Sequence, residues 1–102
     1  MKIIIIGANG MLGSYLVKYF NTYHDVIPIT REQFDIETDS TDNLTKYITP
    51  KSLVINCAGV IPHRTDSNEY RKYIKVNSVF PHLLQHLVEK QNSKLIHITT
   101  DC

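Results

Sequence analysis

Short, continuously apolar runs alternate along the chain with longer stretches in which apolar residues recur every three or four positions. Runs of the first kind are typical of strands that are covered on both faces of a parallel sheet. The longer stretches have the spacing of amphipathic helices, so the order of elements is that of repeated βαβ units. We therefore predict strands at Lys2–Ile6, Asp25–Thr30, Ser52–Cys57 and Lys94–Thr99.

Three stretches between the strands predict helices. The first begins at Met11, and its apolar stripe comprises Met11, Leu12, Tyr15, Leu16, Tyr19 and Phe20. The second, from Ser40 to Ile48, is polar and only modestly amphipathic. The third covers roughly residues 67–90, and Pro81 inside it predicts a kink, or a restart with Pro81 in a first turn, near Asn77 to Phe80.

Pro28 lies within the second predicted strand. Because proline has no backbone N–H to donate to a sheet, a central and fully paired strand is not expected there. We expect the neighbouring strand on that side to be short, and Phe34–Ile36 is the candidate for it. With this segment included, the predicted sheet has about five strands, an ordinary size for a domain.

Composition describes an ordinary soluble protein and excludes several functions. The 102 residues form one domain, with 42% hydrophobic and 21% charged residues. A net charge of +1 gives no electrostatic case for binding nucleic acid or an anionic membrane. The apolar run near the start is too short for a signal peptide or a membrane span, which predicts a cytoplasmic protein.

The spacing of the cysteine and histidine residues indicates neither a disulfide framework nor a metal site. Cys57 and Cys102 make no disulfide framework and lack metal-ligand spacing, which fits a reducing cytoplasm. His82 and His86 have the spacing of metal ligands on a helix, but no third ligand accompanies them. We therefore predict no metal site.

The first strand runs directly into three evenly spaced glycines, Gly7, Gly10 and Gly13, and a helix follows. The first glycine allows a sharp turn at the strand end, the second lets the backbone approach a diphosphate, and the third packs the helix closely on the strand. The start of the helix directs unpaired backbone N–H groups at the phosphates. This context on both sides indicates a dinucleotide-binding turn.

The segment IIIIGANGMLGSYLV resembles the opening of the extended short-chain dehydrogenase/reductase family, in the branch of the dTDP-4-dehydrorhamnose reductases. The segments TREQFDIETDS, VINCAGVI, VNSVFPHLL and LIHITTDC agree with that branch in order and spacing, so the resemblance covers essentially the whole chain. It implies an α/β fold with a Rossmann-type, doubly wound parallel sheet and helices on both faces, truncated before the substrate-binding half. It also implies hydride transfer from NADPH to a 4-keto-6-deoxy sugar carried on a nucleotide diphosphate.

Under this resemblance the cofactor pyrophosphate would be held by residues of the glycine-rich segment: Gly7, Asn9, Gly10, Met11, Leu12 and Gly13. Met11 and Leu12 could also be core residues. At the end of the second strand, Arg31 suits the 2′-phosphate of NADP, whereas Glu32 suits the 2′-hydroxyl of NAD. NADP is therefore the predicted cofactor, with NAD as the alternative.

The resemblance assigns two further segments to the cofactor. Asp35 and Ile36 would lie beside the adenine, although Asp35 could instead cap the following helix. Cys57, Ala58 and Gly59 would lie against the ribose on the nicotinamide side, although Gly59 could serve only as a turn residue.

The resemblance also implies one catalytic residue and an incomplete active site. Thr100 matches the hydroxyl that hydrogen-bonds the substrate carbonyl while a tyrosine donates the proton. Asn77 matches an asparagine that braces the catalytic lysine through a water; a solvent-facing role is the alternative. The family's Tyr-x-x-x-Lys pair is missing, because Pro50 interrupts the one segment with that spacing, Tyr47 to Lys51.

Two functional hypotheses follow. In the first, the chain is the cofactor-binding portion of a nucleotide-sugar reductase and is inactive on its own. In the second, it is a stand-alone, non-catalytic NAD(P)-binding module or a partner subunit. The last strand, Lys94–Thr99, would form a sheet edge, and exposed parallel edges pair with other chains, so we expect self-association or a complementary chain.

Overall fold

The computed structural model describes residues 1–59, 71 and 74–98, and a parallel β-sheet lies at its centre. The strands of the described sheet are β1 (Lys2–Ile6), β2 (Asp25–Ile29), β3 (Leu53–Asn56) and β4 (Lys94–His97). Their order across the sheet is β2-β1-β3-β4, and every neighbouring pair is parallel. The four predicted strands are therefore confirmed, within a residue or two at their ends.

Helical segments cover the sheet on both faces, as the doubly wound fold requires. They are α1 (Met11–Phe20), a 3₁₀ helix (Thr41–Leu44), a π-helical turn (Lys75–Val79) and α2 (Phe80–Lys90). On one face of the sheet α1 packs against β1 and β2, and on the other α2 packs with the 3₁₀ helix.

The isoleucines of β1 show why this strand is central. Ile3 and Ile5 pack on the α1 face, Ile4 and Ile6 pack on the α2 face, and all four are at most 2% exposed. Burying one such side chain stabilises the fold by about 1.5–3 kcal/mol. A strand with one polar face could not occupy this position, so the unbroken apolar run determines the place of β1 in the sheet.

The buried face of α1 differs from its predicted apolar stripe. The residues that face the sheet are Gly13, Leu16, Val17 and Phe20. The residues that face outward are Met11, Leu12, Tyr15 and Tyr19. The reason is the close approach at Gly13, where an added Cβ would lie 2.0 Å from the carbonyl oxygen of Gly7. Residues three, four and seven positions further along share that face of the helix.

The segment after β2 contains no strand, so the prediction of a short strand at Phe34–Ile36 is wrong. The backbone N–H of Phe34 donates to the carbonyl of Thr30 at 3.1 Å, which closes a turn instead. The Phe34 ring is buried against Phe80, with the ring centroids 5.6 Å apart. In the described sheet β2 is an edge strand, and an edge accommodates Pro28 without loss of a paired N–H.

The predicted helix from Ser40 to Ile48 is also wrong in type and length. Only a 3₁₀ helix forms, at Thr41–Leu44, and turns follow it. Leu44 and Ile48 are fully buried, so this polar segment is held to the core mainly at two points rather than along an apolar stripe. Few apolar contacts leave little tertiary packing to stabilise a longer helix.

The expected irregularity before Pro81 is confirmed. In the π-helical turn the backbone N–H of Phe80 donates to the carbonyl of Lys75, five residues back, and Pro81 then lies in the first turn of α2. Proline has no N–H to donate there, and the first turn of a helix needs none. Most of the predicted helix before residue 74 lies outside the described residues.

Candidate functional site

A cleft of about 360 Å³ opens at the carboxyl ends of the strands, where the strand order reverses. The chain places β2 on one side of β1 and β3 on the other, and ligands of open parallel sheets bind outside the strand ends at such a reversal. The cleft has the volume of an ordinary small-molecule site. Its lining comprises Ile6, Gly7, Asn9, Gly10, Ile29, Thr30, Arg31, Phe34, Asp35, Ile36, Glu37, Cys57, Ala58, Gly59 and Val76.

The glycine turn (Gly7–Gly13) forms one wall of the cleft, and its glycines have different tasks. Gly7 has a φ of 79°, which favours glycine, and an added Cβ there would lie 2.9 Å from the backbone nitrogen of Ala58. At Gly10 an added Cβ would have only the Gly7 carbonyl oxygen near it, at 3.4 Å. Gly7 is therefore needed by the fold, whereas the space above Gly10 is open to a ligand.

The helix start adjoining this wall presents backbone donors. Gly10 is the N-cap of α1, and the first helical bond runs from the N–H of Ser14 to the carbonyl of Gly10, at 2.9 Å. The N–H groups of Met11, Leu12 and Gly13 precede that bond and have no partner within the helix. Met11 is 94% exposed and Leu12 42% exposed, so core packing does not explain either residue.

A second wall is built by the segment that follows β2. The backbone N–H and hydroxyl of Thr30 both donate to the side-chain oxygen of Gln33, at 2.8 and 2.6 Å, which fixes the turn. Arg31 then reaches the cleft, and its Nε donates to the Asp35 carboxylate at 3.1 Å. This contact uses one edge of the guanidinium and leaves the terminal amino groups for another acceptor.

Asp35 is held by several local bonds. One carboxylate oxygen accepts from the Glu37 backbone N–H at 2.9 Å and the other accepts from Arg31, while the Asp35 backbone N–H donates to Asp39 at 2.8 Å. The Glu37 N–H lowers the pKa of the Asp35 carboxyl below its usual value, and the Arg31 guanidinium adds to that effect. The Asp35 carboxylate thus binds within its own turn, and the N-cap of the following 3₁₀ helix is Ser40 rather than Asp35.

The third wall is the Cys57–Gly59 strip, which directly follows β3. The N–H of Cys57 continues the sheet by donating to the carbonyl of Ile6 at 2.9 Å. Burial raises the pKa of the Cys57 thiol, so the side chain is an uncharged, small apolar group at neutral pH. The N–H of Ala58 donates to the side-chain oxygen of Asn56 at 3.0 Å, which ties the strip to the end of the strand.

The structure brings most of the predicted cofactor residues to one place. The predicted residues that line the cleft are Gly7, Asn9, Gly10, Arg31, Asp35, Ile36, Cys57, Ala58 and Gly59. Gly13 lies beneath the turn, and Met11 and Leu12 lie at its outer end. Asn77 is half-buried in the π-helical turn beside the lining residue Val76. The predicted catalytic residue, Thr100, lies outside the described residues.

Two side chains near the cleft have no role predicted from the sequence. Asn56 lies within the segment VINCAGVI without a predicted role of its own, and the sequence predicts no role for His97. In the structure both lie at neighbouring strand ends, in register with each other, and their side chains are 3.0 Å apart. The residues are 41 positions apart, so only the strand order could have revealed the pair.

The described residues hold no group of three or more His, Cys, Asp or Glu side chains arranged for a metal ion. His82 and His86 face each other with ring centroids 4.8 Å apart, on an exposed side of α2. None of the helices in the described part of the chain has the length and apolar character needed to cross a membrane.

Comparison with known proteins gives matches over nearly the whole chain. A family model described as the RmlD substrate binding domain matches residues 1–102. A dTDP-4-dehydrorhamnose reductase of Mycolicibacterium smegmatis is 34% identical over 101 residues, covering 98% of this chain and 30% of the relative. Another from Mycobacterium tuberculosis is 31% identical over 102 residues, covering 98% of this chain and 33% of the relative. The chain thus spans about a third of the length of these relatives.

Solved structures agree with the fold. A dTDP-4-dehydrorhamnose reductase of Clostridium acetobutylicum superposes with a TM-score of 0.77 and 28% identity, covering 93% of this chain and 34% of that one. The Bacillus anthracis enzyme, solved in complex with NADP, gives a TM-score of 0.77 at 22% identity, over 92% of this chain and 34% of that one. At that identity the likeness concerns the fold alone.

Proposed function

The chain belongs to the family described as the RmlD substrate binding domain, and from this premise we propose that it is the cofactor-binding portion of a nucleotide-sugar reductase. The proposed reaction carries a hydride from NADPH to a 4-keto-6-deoxy sugar on a nucleotide diphosphate, in keeping with the dTDP-4-dehydrorhamnose reductases among its relatives. The observation that carries the proposal is the cleft at the strand-order reversal, with the glycine turn as one wall.

The glycine turn fits the diphosphate of such a cofactor. An added Cβ at Gly10 would project into open space, so the absence of a side chain leaves room for phosphate rather than for protein packing. The backbone N–H groups of Met11 and Leu12 lie at the positive end of the α1 dipole and would donate to phosphate oxygens. Outward-facing Met11 and Leu12 would cover the diphosphate from the solvent side.

Arg31 supports NADP as the preferred cofactor. Its guanidinium lines the cleft and is oriented through Nε by Asp35, so its terminal amino groups would bind a 2′-phosphate with a planar pair of donors. Asp35 and Ile36 would border the adenine from the same wall. Glu32 favours NAD, and the cofactor titration below decides between the two.

The Cys57–Gly59 strip would lie against the ribose on the nicotinamide side. Its residues are small, and the Cys57 thiol is uncharged because burial raises its pKa, so the strip lets the backbone approach a sugar. NADPH bound there would supply the hydride. The protein's part is to bind the diphosphate, orient the nucleotide along the strand ends and separate the reacting carbon from water.

We propose Thr100 as the hydroxyl that hydrogen-bonds the substrate carbonyl. A proton donor is also needed, and the chain's one Tyr-x-x-x-Lys spacing, Tyr47 to Lys51, cannot provide it. Lys51 has a φ of 63°, so these residues do not share a helical face. We therefore expect the chain to bind cofactor but to show no turnover of a keto-sugar by itself. A stand-alone, non-catalytic NAD(P)-binding module would behave in the same way, and a coding sequence that continues into a Tyr-x-x-x-Lys segment would favour the reductase.

Calorimetric titration of the chain with NADPH and with NADH tests the proposal. We expect NADPH to bind more tightly, and Arg31→Ala to weaken NADPH by about tenfold to a hundredfold, the value of a lost charge-assisted hydrogen bond. NADH affinity should change little in the same variant. Lys18→Ala, which removes an exposed cation at the far end of α1, is the matched control.

Each result of the titration has a distinct meaning. Binding of neither nucleotide would overturn the proposed function. Tighter binding of NADH than of NADPH, with NADPH affinity unchanged in Arg31→Ala, would leave a dinucleotide site and make NAD the cofactor.

A further inference from the structure

Asn56, the last residue of β3, is a polar side chain with no exposed surface. A buried amide without partners is costly, so the partners of this one are informative. They lie on separate parts of the chain: Ala58 in the Cys57–Gly59 strip and His97 at the end of β4. Asn56 therefore links the cleft wall to a neighbouring strand.

The direction of each hydrogen bond follows from the chemistry of the groups. The backbone N–H of Ala58 can only donate, so the amide atom 3.0 Å from it is the oxygen of Asn56. The amide nitrogen of Asn56 then faces Nδ1 of His97 at 3.0 Å. Because that nitrogen can only donate, Nδ1 must accept, and the neutral imidazole carries its hydrogen on Nε2.

The hydrogen bonds of Asn56 hold the Cys57–Gly59 strip. This strip is packed on the glycine turn. An added Cβ on Gly7 would lie 2.9 Å from the backbone nitrogen of Ala58 and 3.1 Å from its Cα. The two walls of the cleft thus touch at Ala58, with no room between them. A displacement of Ala58 would move the strip and change its fit to the first glycine.

We infer that His97 is a positioning residue for the cleft: acting through Asn56, it holds the Cys57–Gly59 strip against the glycine turn. His97 does this as a neutral hydrogen-bond acceptor and needs no contact with the nucleotide. The inference rests on the proposed function for its effect on cofactor affinity. The hydrogen bonds themselves are independent of any ligand.

The unmodified chain provides the first test. Nitrogen-15 NMR of the folded protein without nucleotide should show neutral His97 with its hydrogen on Nε2, and the Ala58 amide should exchange slowly with solvent. A hydrogen on Nδ1 of the neutral ring, or an Ala58 amide that exchanges as fast as an unprotected one, would overturn the inference.

Variants at His97 provide the second test. His97→Leu removes the acceptor, and we expect faster exchange at Ala58 and roughly three- to tenfold weaker binding of NADPH, the effect of one lost hydrogen bond. His97→Asn places an amide oxygen near the position of Nδ1 and should restore both properties. His86→Leu, on the exposed side of α2, is the control and should change neither.

The outcomes separate this inference from the proposed function. If His97→Leu leaves Ala58 exchange and NADPH affinity unchanged, or if His97→Asn fails to restore them, His97 is not a positioning residue. If the unmodified chain binds no NADPH, the proposed function fails, and the exchange rates alone decide whether His97 holds the strip. If His97→Leu does not fold, the tautomer and the exchange rate of the unmodified chain still decide it.

Discussion

An added Cβ would have different surroundings at Gly10 and at Gly13, so substitutions at the two positions test folding and binding separately. At Gly13 an added Cβ would lie 2.0 Å from a backbone oxygen, whereas at Gly10 the nearest atom would be 3.4 Å away. Gly10 also has a φ of −76° and a ψ of 174°, which any residue can adopt. At the residue scale, Gly13 is therefore needed by the fold, whereas the role proposed for Gly10 is in binding the ligand.

We predict opposite effects for Gly10→Ala and Gly13→Ala. Gly10→Ala should change the free energy of unfolding by no more than about 1 kcal/mol, the cost of alanine at an N-cap. It should nevertheless weaken NADPH binding by at least about tenfold, because the methyl group would occupy the phosphate position. Gly13→Ala should destabilise the fold by about 1–3 kcal/mol or more through overpacking against backbone.

Urea unfolding and NADPH titration of both variants measure these effects. If Gly10→Ala binds NADPH as tightly as the unmodified chain, the diphosphate does not lie on the glycine turn. If Gly13→Ala is as stable as the unmodified chain, the close approach of α1 to the strand end is not needed.

The segment from Thr30 to Asp39, which forms the second wall of the cleft, depends on hydrogen bonds of its own side chains. It has no regular secondary structure, and its turn is held by the Thr30–Gln33 and Arg31–Asp35 contacts. The sequence predicts a functional role for this segment through Arg31, but the strand that it predicts at Phe34–Ile36 does not form. The hydrogen bonds join side chains three and four residues apart. The alternation of apolar and polar residues that predicts a strand does not reveal such bonds.

We predict that the contribution of Asp35 to stability depends on pH. The Glu37 N–H and then Arg31 lower its pKa in the folded protein below the ordinary value of 3.8. The contribution is therefore fully present above that value and is lost as pH falls through the lower, folded-state pKa. Since Arg31 is largely exposed, solvent screening limits the contribution to at most about 1 kcal/mol.

Urea unfolding of the unmodified chain and of Asp35→Asn at several pH values tests this prediction. The difference in free energy of unfolding should be present at about pH 6 and should narrow below about pH 4. Asp25→Asn, at the exposed start of β2, is the control. A difference that stays constant down to the acid unfolding transition would show that the Asp35 charge is not responsible.

At the scale of the whole molecule, β4 is an edge strand of the described sheet. In the described sheet β4 has β3 on one side only, and Ile96 is 48% exposed. Exposed parallel edges with apolar side chains pair readily with other chains.

We predict that the purified chain self-associates through the β4 edge. Ile96→Lys should reduce association, because a lysine opposes burial of this edge against an apolar partner. Light scattering over a range of protein concentrations measures the effect, and Leu83→Lys, on an exposed part of α2, is the matched control. A molecular mass that equals the monomer at every concentration would contradict the prediction.

The sequence alone determined the strands, their parallel arrangement, the glycine turn and most of the residues that line the cleft. These features follow from local patterns: an unbroken run of isoleucines, glycines between strand and helix, and a proline that interrupts a helix. Only the tertiary structure decided which side of α1 is buried, because that depends on the contact between Gly13 and Gly7. Likewise, His97 meets Asn56 only because β4 lies beside β3 in the sheet. Local periodicity sets whether a segment forms a strand or a helix. Strand order and close packing set which side chains of different elements come into contact.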